Sequence, residues 1–294
     1  MPFTELKRLL ERGEYVRAKR EAEWLIHSGE LIGPDLARAY RGGAVAHYML
    51  KELFAAAKMA ERALAIATES QHPEETGKAL YDLGEYYLLI GDYHLALERL
   101  TSFLTTIPKA PALRTLEAKA QHNLGLIHRA RRDWTQAISA HQAAARLHAE
   151  NGAERSVLES IRGVAWCHLQ QEQPAAALPY IEEVQSRLAN LPEEHQLSAS
   201  LLTDLALYHR QVGNSALSVE YCHEVLVPGR PGVDEHLKAT AYVIAGENAL
   251  DQGRPTEADL FANLALEEAL KAQHPFLMNR VNDLRRRLLQ AQPL

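Results

Sequence analysis

The sequence has few cysteines and no long apolar segment. Its 294 residues include only Cys167 and Cys222, too few for the disulfide framework of a small secreted domain. No run reaches the ~18 apolar residues typical of a membrane-spanning helix. The N-terminus is charged from its first residues and lacks the apolar core of a signal peptide. We therefore expect a soluble, cytoplasmic protein that has no membrane partner.

The sequence also lacks an excess of positive charge and the common catalytic motifs. Its net charge is −6 and its pI is about 6.2, which argues against nucleic acid as a partner. It contains no G-x-S-x-G, phosphate-binding loop, dinucleotide fingerprint or H-E-x-x-H motif. Asp204 and His209 lie five residues apart and do not share a helix face. We therefore expect no enzyme activity, no cofactor and no metal site.

Histidine is abundant, with 14 residues, and four of them recur at one position of a repeat: His47, His128, His168 and His209. Neighbouring copies of such a repeat lie about 10 Å apart, too far for ligands that share a zinc ion. We interpret these side chains as half-buried aromatic residues between helix pairs, with each ring N–H satisfied locally.

The most regular feature of the sequence is a period of about forty residues. The stretch Leu80–Pro108 is its clearest copy, with Leu83-Gly84, Tyr87 and Ala96 followed by Pro108. The small residue that begins the second half of each copy recurs at spacings of 38 to 41 residues: Ala18, Ala56, Ala96, Ala137, Ala177, Ser218 and Ala258. Five residues before each is a turn, and four after each is a core position. A second column is all Gly or Ala, which predicts close helix approach: Ala44, Gly84, Gly125, Ala165, Ala206 and Gly246.

This pattern resembles the tetratricopeptide repeat (TPR), with Leu80 and Leu100 at the positions of its Trp and Phe. The long period is similar to that of bacterial peptide-pheromone receptors of the Rap and PlcR type, maltose-type regulators and kinesin light chains. The resemblance implies an all-α, right-handed solenoid of about seven helix-turn-helix pairs, in a single domain spanning 1–294. The expected repeats are 3–30 (partial), 37–70, 77–110, 118–151, 158–191, 199–232 and 239–272.

A last helix is expected at 275–291. Leu277, Val281, Leu284 and Leu288 recur at helical spacing, so we interpret this segment as a helix that caps the open core of the last repeat. The alternative is a basic docking site on Arg285–Arg287.

The resemblance also implies that the first helix of each pair lines a concave groove. Lys, Arg and Asn side chains there can hold carboxylates and backbone amides, and aromatic side chains supply rigid apolar area. The candidate ligand-binding residues are Arg38, Arg41, Tyr48, Lys78, Tyr81, Lys119, His122, Asn123, Arg129, Arg162, Trp166 and Arg210. Asp82 and Glu85 interrupt this otherwise basic set.

We therefore predict a non-catalytic scaffold that binds a protein or an extended peptide, with an acidic or carboxylate-bearing segment as the favoured ligand. Charge reversal of Arg129 and Arg162 together is expected to abolish partner capture and to leave melting unchanged. Two alternatives stay open: a signal-peptide sensor, or the sensor half of a transcriptional regulator; and a structural, self-associating adaptor, in which case the chain is a homo-oligomer.

Overall fold

The protein is all-α wherever its structure is described. The computed structural model describes residues 3–106, 111–191, 193–272 and 275–291; Pro108, which ends the clearest repeat, lies outside these ranges. Within them the chain forms fifteen α-helices and one short 3₁₀ helix. Every helix of these ranges is too short or too polar to span a lipid bilayer.

The chain divides into two compact units. Unit 1 comprises Met1–Arg131 and Ser139–Gly152, and unit 2 comprises Arg132–Ile138 and Ala153–Leu294. The prediction of a single domain over 1–294 stays a prediction.

Unit 1 is built from consecutive helices that pack in pairs. Its helices are α1 (Thr4–Glu11), α2 (Tyr15–His27), α3 (Gly33–Met49), α4 (Leu53–Glu69), α5 (Pro73–Ile90), α6 (Tyr93–Thr106), the 3₁₀ helix (Pro111–Leu113) and α7 (Arg114–Ala130). The next helix, α8 (Trp134–Glu150), contributes residues to both units. The first helices of successive pairs, α1, α3, α5 and α7, also contact one another, so they form one layer.

Unit 2 repeats the same arrangement. Its helices are α9 (Glu154–Gln170), α10 (Pro174–Leu188), α11 (His195–Gln211), α12 (Ser215–Leu226), α13 (Glu235–Asp251), α14 (Pro255–Ala272) and α15 (Pro275–Ala291). Here α9, α11, α13 and α15 form the layer of first helices. The predicted all-α array of helix pairs followed by one more helix is confirmed.

The turn inside each pair has one backbone geometry. The residue five positions before each small residue has φ between 56° and 89°: Gly13, Lys51, Gly91, Arg132, Glu172, Gly213 and Gly253. The next N–H donates to the carbonyl five residues back, as from Asp92 to Tyr87 at 2.9 Å. This bond satisfies a carbonyl that the helix end would otherwise leave unpaired.

The small-residue column allows the two helices of a pair to approach closely. A Cβ added to Gly125 would lie 2.6 Å from the ring of His141, and one added to Gly246 would lie 3.4 Å from Cβ of Phe261. The alanines at Ala44, Ala165 and Ala206 are fully buried. The predicted reason for this column is therefore confirmed.

Two of the recurrent histidines stack within a helix pair, whereas the sequence pattern predicted these side chains between pairs. His168 stacks on Tyr180 of the following helix, with centroids 5.8 Å apart, and His209 stacks on Tyr221 at 5.5 Å. The expected local hydrogen bond is present for His47, whose Nδ1 contacts Glu52. It is absent for Nδ1 of His209, which is buried without a partner in the described residues.

The last helix covers the core of the pair before it. The side chains of Leu277, Val281, Leu284 and Leu288 are at most 3% exposed, and they pack against α13 and α14. Of the three arginines in the alternative docking site, Arg286 pairs with Asp283 and Arg287 with Asp251. The apolar periodicity therefore identified the buried face of α15.

Candidate functional site

The first helices of unit 1 carry an ion-pair network that includes three predicted ligand-binding residues. Arg41 donates to Asp82 at 2.7 Å and to Glu75 at 3.1 Å. Arg38 donates to Glu75 at 3.0 Å, and Lys78 reaches the same carboxylate at 3.3 Å. Glu75 is 1% exposed. The network therefore joins α3 to α5 around a buried carboxylate.

Burial and the cationic partners act in opposite directions on these carboxylates. Burial disfavours the charged form of Glu75, but the hydrogen bond from Arg38 and the charges of Arg41 and Lys78 outweigh it and hold the pKa of Glu75 below its ordinary value. For Asp82, burial prevails over Arg41 and raises the pKa.

Unit 2 carries equivalent ion pairs between its first helices. Arg162 donates to Asp204, which is 1% exposed, at 3.1 Å. Arg210 binds Asp251 through two nitrogens at 2.9 and 2.7 Å and lies 3.2 Å from Glu247. Four of the five arginines predicted to bind a ligand, Arg38, Arg41, Arg162 and Arg210, therefore already hold carboxylates of this chain.

These pairs recur with the repeat. Partners stand 41, 42 and 41 residues apart in Arg41–Asp82, Arg162–Asp204 and Arg210–Asp251. Sequence reasoning missed the acidic partners Glu75, Glu247 and Asp251 as site residues. A search for carboxylates one period after each arginine would have found Asp251 and would have paired Arg41 with Asp82.

Between α5 and α7, an uncharged pair of residues takes the repeat positions that an arginine and an aspartate hold between α3 and α5. Tyr81 and Asn123 stand where Arg41 and Asp82 stand one pair earlier, and their side chains interact. Tyr81 is 5% exposed and packs edge-on against Phe103. Nδ2 of Asn123 is buried, and apart from its interaction with the Tyr81 hydroxyl it has no hydrogen-bond partner within the described residues. An amide nitrogen carries two N–H donors, so the fold leaves at least one of them unused.

Charged groups adjoin Tyr81, the residue with which Asn123 interacts. Burial and the charge of Asp82 raise the pKa of Glu85, while Lys119 and the hydroxyl of Tyr81 oppose that rise. Glu85 therefore interacts with Tyr81 and with Lys119, and Tyr81 interacts with Asn123, across α5 and α7. We call these four residues the α5–α7 cluster.

The other predicted residues are more separate. Three of them make aromatic contacts, with centroids 5.4, 6.1 and 5.2 Å apart: Tyr48–Tyr86, Trp166–Trp134 and His122–His141. Trp166 is only 7% exposed, so it offers a ligand little area. Arg129 lies half-buried near the C-terminal end of α7.

A pocket of about 540 Å³ lies among α2, α3 and α4, and none of these residues is in its lining. Its lining includes Trp24, His27, Tyr40, His47 and Met59, none of which the sequence singled out as ligand-binding. Within the described ranges, no three His, Cys, Asp or Glu side chains group so that they could hold a metal ion.

Known proteins with a similar sequence or fold were identified by comparison. The tetratricopeptide repeat family matches residues 116–190. No curated protein sequence matches the chain.

Solved structures of similar fold extend over most of the chain. Apo RapI is 15% identical, with a TM-score of 0.70 over 92% of this chain and 97% of its own. The apo quorum sensor NprR from B. thuringiensis is 16% identical, with a TM-score of 0.73 over 91% and 77%. A Rap protein complexed with Competence and Sporulation Factor is 14% identical, with a TM-score of 0.58 over 99% and 76%. Residues 116–190 therefore match the tetratricopeptide repeat family, and the described chain shares the helix-pair fold of these solved structures.

Proposed function

We propose that the first-helix layers of this protein bind an extended peptide, either free or as a segment of a protein partner, without catalysis. The observation that carries the proposal is the unused N–H on the buried Nδ2 of Asn123 in the α5–α7 cluster. An unpaired buried donor costs free energy in the unliganded protein. Rotation of the Asn123 side chain toward a bound peptide would let a peptide carbonyl satisfy it.

The α5–α7 cluster suits a peptide backbone. The amide of Asn123 can donate to a carbonyl and accept from an N–H, the two groups that an extended peptide presents along each edge. Lys119 is exposed and can meet a ligand carboxylate. Glu85 can accept from a ligand N–H.

The predicted arginines have a different role in this proposal. Arg38, Arg41 and Lys78 share Glu75, and Arg162 and Arg210 hold their own aspartates. A ligand carboxylate can reach one of these cations only by displacing a carboxylate of the chain. We therefore propose that they set specificity, and that the α5–α7 cluster supplies the first contacts.

The biological setting that the comparisons favour is sensing of a signal peptide. One similar structure is a quorum sensor, and another holds a Rap protein with Competence and Sporulation Factor. On this likeness we propose a signal peptide as the ligand of this chain.

Affinity selection tests the proposal. The protein is equilibrated with a mixture of random short peptides, the complex is separated by size exclusion, and retained peptides are identified by mass spectrometry. Asn123→Ala is expected to reduce retention about 10-fold, the equivalent of one hydrogen bond in a buried site. Asn263→Ala, at an exposed position of α14, is the matched control. Retention of no peptide by the wild type, or equal retention by Asn123→Ala, would refute the proposal.

A further inference from the structure

Arg280 of α15 is a cation with little solvent exposure that the fold does not pair closely. Its side chain is 12% exposed, and its nearest carboxylate oxygen, in Glu247 of α13, is 4.0 Å away. Within the part of the chain that the structure describes, Arg280 makes no hydrogen bond. A guanidinium has five N–H donors, and a charge withdrawn from water without a hydrogen-bonded partner destabilises the fold.

The surroundings of Arg280 carry more positive than negative charge. Arg210 and Arg287 converge with it on Glu247 and Asp251, so three guanidinium groups face two carboxylates. The two carboxylates are engaged by the other two arginines: Arg287 lies 3.1 Å from Asp251, and Arg210 lies 2.7 Å from Asp251 and 3.2 Å from Glu247.

Neighbouring acids do not supply the missing partner. Asp283 of α15 is half-exposed, and its Oδ1 lies 3.1 Å from Arg286. Burial lowers the pKa of Arg280, and the charges of Glu247 and Asp283 only partly oppose that effect. The cluster of α11, α13 and α15 is therefore short of one negative charge.

We propose that Arg280, with Arg287 and Arg210, forms a subsite for one carboxylate group of the bound peptide. The subsite lies on the first-helix layer of unit 2, and the inference rests on the proposed peptide-binding function. A monoanion matches the single excess charge, whereas a dianion such as phosphate would be repelled by Glu247 and Asp251. The carboxylate is either the C-terminus of the peptide or an Asp or Glu side chain.

The first experiment uses acetate as the probe and needs no peptide. Melting temperatures of the wild type, Arg280→Met and Arg285→Met are measured in sodium acetate and in sodium chloride at equal ionic strength. Arg285 lies on the same helix and is exposed, so it is the matched control. A ligand that binds only the folded state raises its melting temperature.

We expect acetate to raise the melting temperature of the wild type and of Arg285→Met above the value in chloride, and to leave Arg280→Met unshifted. In chloride, Arg280→Met should melt no lower than the wild type, because the substitution removes a little-exposed charge that lacks a close partner. Equal acetate shifts in wild type and Arg280→Met would overturn the proposal. So would a steep loss of stability in both Arg280→Met and Arg280→Gln, which would assign the side chain to the fold.

A second experiment identifies the source of the carboxylate. Random peptides are offered in three forms: with a free C-terminus and no Asp or Glu, with an amidated C-terminus and acidic residues, and with neither carboxylate. Arg280→Gln is expected to reduce retention of one of the first two forms about 10-fold and to leave the third unchanged. Equal losses for all three would contradict a carboxylate subsite. Retention of no peptide by any variant would refute peptide binding, whereas the acetate shift judges the subsite independently.

Discussion

Gly84 and Leu100 meet so closely that a Cβ on Gly84 would lie 2.5 Å from Cγ of Leu100. Leu100 is fully buried, so the leucine cannot move aside without disturbing the core of its helix pair. This contact fixes the separation of α5 and α6 in the clearest copy of the repeat.

Gly84→Ala is expected to destabilise the protein by about 1–3 kcal/mol, because it overpacks a filled contact. Urea denaturation measures the change. Leu100→Ala alone should cost about 2–5 kcal/mol but less in the Gly84→Ala background, since the added methyl group then occupies part of the cavity. Additive losses in the double variant would show that the two residues do not compete for the same space.

Glycine is expected to stabilise the protein at two of the turns that hold a non-glycine residue at positive φ. Lys51 and Glu172 have φ of 64° and 56°, a conformation that costs a residue with a Cβ about 1 kcal/mol. Lys51→Gly and Glu172→Gly should therefore raise the free energy of unfolding by up to about 1 kcal/mol each. Gly91→Ala, at the equivalent turn with φ of 89°, should lower it. A loss of stability in both glycine variants would contradict the expectation.

Removal of Arg162 is expected to destabilise unit 2, because Asp204 would remain buried without its cation. Breaking a buried ion pair costs about 3–5 kcal/mol, whereas an exposed one contributes less than about 1 kcal/mol. Arg162→Ala should therefore lower stability far more than Arg155→Ala, which removes a half-exposed arginine of the same helix. Chemical denaturation gives both values.

This contact also changes the expectation for charge reversal at Arg129 and Arg162. A glutamate at position 162 would face buried Asp204, so melting should change even if no ligand is present. Asp204→Asn in the same background should restore part of the loss. Equal stability of the reversed variant and the wild type would show that the ion pair contributes nothing.

Acidification is expected to weaken the fold through His209. Burial lowers the pKa of His209, whereas the unfolded chain should titrate near its ordinary value of about 6.5. The unfolded state then binds more protons, so stability is retained above about pH 6.5 and falls as the pH drops below that value. His209→Phe should flatten the dependence and keep the stack on Tyr221. His223→Gln, at an exposed position of α12, should not change it. A slope unaltered by His209→Phe would contradict this account.

The features that repeat along the chain were readable from the sequence. The Gly/Ala column, the turn five residues before each small residue, and the buried face of α15 each follow from a local spacing that helix geometry converts into contact. The two columns of small residues to which Ala96 and Gly84 belong therefore locate every helix pair, although the other positions of the repeat vary.

The charges of the candidate site were less predictable. A column of arginines indicates a basic surface, but the acids that neutralise it lie on the next first helix, 41 or 42 residues away. Whether Arg41 faces Asp82 or a ligand depends on the rotation of both helices, which hydrophobic periodicity fixes only approximately. The unused N–H of Asn123 and the distant carboxylate of Arg280 each reflect a partner that is missing on a neighbouring helix. No local sequence signal indicates such a missing partner.

In the ion pairs between successive first helices, a carboxylate of the chain competes with a ligand carboxylate for the same arginine. A ligand carboxylate that takes Arg41 releases Asp82 to solvent, so the number of ion pairs on the protein is unchanged, and salt weakens the lost and the gained contact alike. At Arg280 no carboxylate is released. A ligand carboxylate held at Arg41 would thus respond weakly to ionic strength and one held at Arg280 strongly, so the salt dependence of peptide dissociation would report which of the two sites holds the ligand.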